Sequence, residues 1–135
     1  MGINDTNEQI QAAISALQAN KSDDAERLLD SVITSDDRNI HALKLQAGIY
    51  LNRGDTEQAT ALFDKVLEIS PADEEAVVYI TRHKAERQKF DDCDAILRGA
   101  IRSKPENARF HFMLANLLLQ EGRHGDAIKS IKTAE

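Results

Sequence analysis

The chain has 135 residues, 41% of them hydrophobic and 30% charged, a balance that suits one compact domain or a short repeat array and excludes a disordered chain. With only 2 Pro and 6 Gly the composition favours helix, and no alternating run of strand formers is present. The net charge of -6 lies wholly in residues 1–69, which hold 12 acids and 6 bases, so sequence-independent nucleic-acid binding, which needs a basic face, is excluded.

The first unit, residues 6–39, sets Ala13 on one helix, turns at Asn20, and continues with Ala25, Leu29 and Val32 on a second helix before Asp37. The second unit, residues 40–73, repeats the order with Ala47, Gly54, Ala59, Phe63, Val66 and Pro71. The third, residues 74–107, has Thr81, Gln88, Cys93, Leu97, Ala100 and Pro105. The fourth, residues 108–135, has Ala115, Gly122, Ala127, Ile131 and Ala134. Each column recurs every 34 residues, and that period marks a stacked repeat rather than a single globular core.

The second unit shows the physics most clearly. Leu43, Ala47 and Tyr50 recur at helical spacing and line one face. Gly54 ends that helix, because glycine adopts the left-handed conformation without steric cost. Asp55 caps the next helix, with Gln58 three residues on completing a capping-box pattern. Ala59, Leu62, Phe63, Val66 and Leu67 form the buried stripe, and Pro71 stops the helix and is expected in the first turn of the one that follows. The small residues Ala47 and Ala59 let the paired helices cross closely.

This pattern resembles the tetratricopeptide repeat, over nearly the whole chain from about Thr6 to Glu135. The second unit matches best, and the third departs most, with Thr81, Gln88, Cys93 and Lys84 at signature places. The resemblance implies an all-α fold: a right-handed superhelical solenoid of about eight antiparallel helices forming a single domain over residues 1–135. It also implies that the first helix of each repeat lines a concave groove that takes a protein or peptide partner. Carried over residue by residue, the groove positions are Lys44, Gly48 and Asn52, then Val78, Tyr79 and Arg82, then Arg109, Phe112 and Asn116. Met113 divides evenly between groove and inter-repeat core.

The family's clamp for the acidic tails of chaperones needs five donors. In the better register its places hold Lys44, Gly48, Tyr79, Arg109 and Met113, so most donors are missing and that activity is not expected. Positive charge does gather around the third unit, at Arg82, Lys84, Arg87, Lys89, Arg98, Arg102, Lys104 and Arg109, and can orient an acidic partner.

Chemistry of an enzyme is not visible. His41, His83, His111 and His124 stand singly, with neither metal-ligand spacing nor paired cysteines. Cys93 occupies a crossing-point position and reads as a small core residue. No phosphate loop or nucleophile elbow appears, and no cofactor is expected. The lone cysteine, the lack of a signal-like start and the lack of any apolar run of ~20 residues lead to the expectation of a cytoplasmic protein with no membrane partner.

The expected function is therefore a non-catalytic scaffold that binds a protein or peptide. Two other readings stand beside it. One is the accessory repeat domain of a larger bacterial enzyme, such as a transferase, with catalysis beyond Glu135. The other is a self-assembling structural module. The fourth unit runs to Glu135 without the extra helix usual in the family, so Leu118, Ile128, Ile131 and Ala134 are expected to lack a cover there. The expected reading is a fragment of a longer protein; the other is an edge open to a second copy of the chain in a homo-oligomer.

Overall fold

The computed structural model describes residues 3–122, and there it contains seven α-helices. They are α1 (Ile3–Gln18), α2 (Ser22–Ser35), α3 (Ile40–Asn52), α4 (Thr56–Ile69), α5 (Glu74–Glu86), α6 (Phe90–Ser103) and α7 (Ala108–Gln120). No strand occurs among the described residues. The expected eighth helix, with Ala127, Ile128, Ile131 and Ala134, falls outside them. The chain resolves into two compact units, Met1–Ile69 with α1–α4 and Ser70–Glu135 with α5–α7.

The turns repeat as faithfully as the sequence columns do. Asn20, Gly54, Gln88 and Gly122 all adopt positive φ, between 58° and 80°. Each of these residues donates its amide to the carbonyl three residues back: Leu17, Leu51, Ala85 and Leu119 in turn. A second bond closes the first three turns, from Lys21 to Ala16, Asp55 to Tyr50 and Lys89 to Lys84, at 2.8 to 2.9 Å. This is the left-handed helix terminus that satisfies the last carbonyls of one helix and reverses the chain into the next.

Helix starts show a further column. Asn39, Asp73 and Asn107 cap α3, α5 and α7, their side chains accepting from the amides of Ala42, Ala76 and Arg109. The expected cap at Asp55 is also present, accepting from the Gln58 amide at 3.1 Å. Pro71 departs from expectation: it lies in the turn before α5, two residues ahead of the Asp73 cap, not in the helix's first turn. The Asp73 carboxylate accepts from the Ala76 amide at 3.1 Å, so the helix start is capped by a side chain with no proline in its first turn.

In the first unit, α1 packs on α2, α2 on α3 and α3 on α4. Ala13, Ala25, Leu29, Val32, Leu43, Ala47, Ala59 and Val66 are all fully buried. Each buried Leu or Val contributes about 1.5–3 kcal/mol over an exposed one. Leu62 and Leu67, expected in the same stripe, are only half-buried.

In the second unit, α6 packs on both α5 and α7. Val77, Ile80, Leu97, Ala100, Phe110 and Leu118 form its interior. Leu118 thus overturns the expectation of an exposed edge at that position: it has no exposed surface.

Candidate functional site

In the first unit, Lys44, Gly48 and Asn52 stand one turn apart along α3. Lys44 and Gly48 are half-buried and Asn52 is exposed. A methyl group added at Gly48 would meet no atom within 4 Å, so this stripe of α3 has open space above it.

In the second unit, α5 and α7 both rest on α6, and a cleft of about 290 Å³ opens between them. Val78, Arg82 and Ala85 line one side, Arg109, Met113 and Asn116 the other, and Cys93 and Leu97 of α6 form the floor. Helix spacing explains the lining. Residues 78, 82 and 85 share one face of α5, and 109, 113 and 116 share one face of α7. A second cavity of about 280 Å³ adjoins the first, lined by Glu74, Glu75, Tyr79 and, again, Val78, Arg82 and Arg109.

The rim is held by a short polar network. Glu74 accepts from the Asn107 amide nitrogen at 2.8 Å, and its other oxygen lies 3.9 Å from Arg109 Nη1. Asn107 is itself the cap of α7, so one side chain at the start of α5 is tied to the start of α7. His111, buried below, sits with Nε2 at 2.9 Å from the Pro105 carbonyl. Tyr79 stacks on His83 one turn further along α5, centroids 6.1 Å apart and planes 17° apart.

Charge is less evenly spread than the run of cations in the third unit implied. Lys84 pairs with Asp92 at 3.9 Å and Arg98 with Asp94 at 2.7 Å. Arg87 turns back to the His83 carbonyl. Arg82 is exposed and has no ion pair among the described residues. The cationic charge left to face the cleft is that of Arg82 and Arg109.

The cleft floor carries two residues that depart from the repeat pattern. Thr81 is buried and donates to the Val77 carbonyl at 2.7 Å. The Cys93 thiol donates to the Thr81 carbonyl at 3.3 Å. Burial raises the Cys93 pKa above the ordinary thiol value, so the sulfur stays protonated at neutral pH. Among the described residues no group of three or more His, Cys, Asp and Glu could hold a metal ion.

Of the nine groove positions expected from sequence, Val78, Arg82, Arg109 and Asn116 come together at the cleft and Tyr79 at the cavity beside it. Phe112 is 49% exposed on α7 but outside the lining of both cavities, and Met113 lines the cleft. Cys93 and Leu97 were not expected at a groove, because a second helix of a repeat is normally read as core. The signal lay in the third unit's enlarged crossing residues, Thr81 and Cys93.

A model of the tetratricopeptide repeat matches residues 10–74 and 82–135. No curated protein matches the chain. Among solved structures it is similar to a crystal structure of MamA protein, with a TM-score of 0.71 and 18% identity over 96% of this chain and 71% of that one. It is also similar to a MamA RS-1 ArsTM double mutant, at a TM-score of 0.70 and 19% identity, covering 99% and 75% of the two chains. MamA AMB-1 gives a TM-score of 0.69 and 19% identity, covering 96% and 70%. At such identities the likeness is one of fold. With its turns and helix caps in register at the family's period, the chain belongs to the tetratricopeptide repeat family.

Proposed function

We propose that the chain is a non-catalytic scaffold that binds a peptide or protein segment along the inner faces of its first helices. The positions concerned are Lys44, Gly48 and Asn52 on α3, Val78, Tyr79 and Arg82 on α5, and Arg109, Phe112 and Asn116 on α7. Tetratricopeptide repeats are a protein-interaction fold, and stacked repeats offer elongated surfaces for such partners. The observation that carries the reading is the open cleft between α5 and α7, whose lining mixes apolar Val78, Ala85, Leu97 and Met113 with the cations Arg82 and Arg109 and the amide of Asn116. That mixture suits a segment with an apolar anchor whose backbone the amide of Asn116 can meet. We place the protein in the cytoplasm, since its cysteine is a free, buried thiol suited to a reducing compartment. Among the described residues no helix is long and apolar enough to cross a membrane.

The test is affinity capture from the native host with wild type beside a Tyr79→Ala, Arg82→Glu double variant of matched helicity. Partners held by wild type and released by the variant support the groove. Equal retention by both would place binding on another face.

A further inference from the structure

The cleft and the cavity beside it share three lining residues, Val78, Arg82 and Arg109, so both arginines border the two spaces. On one side of that boundary lies an open cleft of mixed lining, in which Ala85, Leu97, Met113 and Leu117 form an apolar patch beside the polar Asn116 and Gln120. On the other side lie Glu74 and Glu75. Arg109 is 60% exposed and reaches Glu74 only at 3.9 Å, while Arg82 has no acidic partner among the described residues.

We infer that this site takes a peptide segment carrying one acidic residue beside one large apolar residue. The carboxylate sits between Arg82 and Arg109, and the apolar side chain fills the cleft. The inference rests on the groove reading above and narrows it to a partner chemistry.

Size and charge both support it. A closed apolar cavity of about 150 Å³ accommodates benzene, so 290 Å³ has room for a Leu, Met or Phe side chain. A carboxylate between two arginines gains charge-assisted hydrogen bonds, moderated here by the solvent exposure of both side chains. Glu74, whose carboxylate already lies 3.9 Å from Arg109, and Glu75 line the same cavity and repel a second acid. The preferred segment is thus a single acid with an apolar neighbour and not a run of acids.

The probe is a display library of random linear peptides with no free C-terminal carboxylate, selected on the full chain. Enriched peptides are expected to share one Asp or Glu next to Leu, Met, Ile or Phe. A synthetic copy should lose at least about tenfold in affinity on the Arg82→Glu, Arg109→Glu variant, and as much when its acid becomes an amide. Both substitutions are at exposed positions, and an unchanged thermal melt establishes that the variant folds. A second variant, Ala85→Trp, fills the cleft and leaves both arginines in place.

Peptides that lack an acid but are lost with Ala85→Trp would overturn the acidic preference and leave the groove standing. Peptides bound equally by Ala85→Trp would overturn both. Enrichment of acidic runs, or of no peptide at all, would overturn the inference as well.

Discussion

The Tyr50 hydroxyl donates to Glu26 Oε2 at 3.1 Å, while Arg53 donates to the other oxygen of the same carboxylate at 2.6 Å. Arg53 also reaches Asp23 at 2.8 Å, so one turn of α3 clips the first turns of α2. The hydrogen bond from Arg53 lowers the Glu26 pKa below the ordinary glutamate value. Because the folded pKa is the lower one, the clip stabilises fully above the unfolded glutamate pKa and is lost as pH falls through the folded value. Glu26→Gln is expected to cost about 1 kcal/mol or less at neutral pH, as the carboxylate is partly exposed. Thermal melts of the two proteins down through the carboxylate range check this. The gap between them should close on acidification, and a constant gap would mean that the ion pair contributes nothing.

Gln46 is 4% exposed on α3 and donates its amide to Asp30 Oδ1 of α2. Asp30→Ala strands that amide in the interior, and a buried donor without a partner costs about 1–3 kcal/mol. Gln46→Leu in the same background removes the orphan. The double variant is therefore expected to be more stable than Asp30→Ala alone, by denaturant titration. If the second change adds a further loss, Gln46 is held by its packing and not by Asp30.

Much of this fold was written in the residue columns. Ala13, Ala47, Ala25 and Ala59 are buried where the helices cross, and the four turn residues all take positive φ. Such positions are set by local sterics, so the residue type reports the conformation directly. The cap column at Asn39, Asp73 and Asn107 is equally local, each side chain bonding an amide two or three residues on. The candidate site was less legible. Whether Phe112 or Met113 faces the cleft turns on about 100° of helix rotation, which the period does not resolve. The clip of Tyr50 and Arg53 on Glu26 joins long polar side chains from different repeats, whose rotamers are decided by packing alone.

Cys93 is 1% exposed, and burial raises its thiol pKa. Raised in the fold, it favours the folded state below the unfolded thiol pKa and loses that contribution as pH rises through the folded value. Labelling by a disulfide reagent at neutral pH should therefore be slow in the native protein and fast once denaturant is added. Equal rates would mean that the cleft floor opens freely. Cys93→Ala restores the small residue of the other repeats but removes the bond to the Thr81 carbonyl, at an expected cost of about 1 kcal/mol.

Gln88 takes φ 58° at the end of α5, where Gly54 and Gly122 serve the equivalent turns. An L side chain in the left-handed region costs roughly 1–2 kcal/mol, because its Cβ crowds the following carbonyl. Glycine removes that strain but adds unfolded-state entropy, which offsets roughly 0.5–1 kcal/mol of the gain. Gln88 is exposed, so no packing is lost on truncation, and its backbone bonds to Ala85 and from Lys89 to Lys84 are untouched. Gln88→Gly is accordingly expected to stabilise the protein by about 0.5–1 kcal/mol. Gly54→Gln, the reverse exchange at the matching turn, should destabilise it by a similar amount. Paired chemical denaturation measures both, and a loss of stability in Gln88→Gly would show that the glutamine side chain supports the turn.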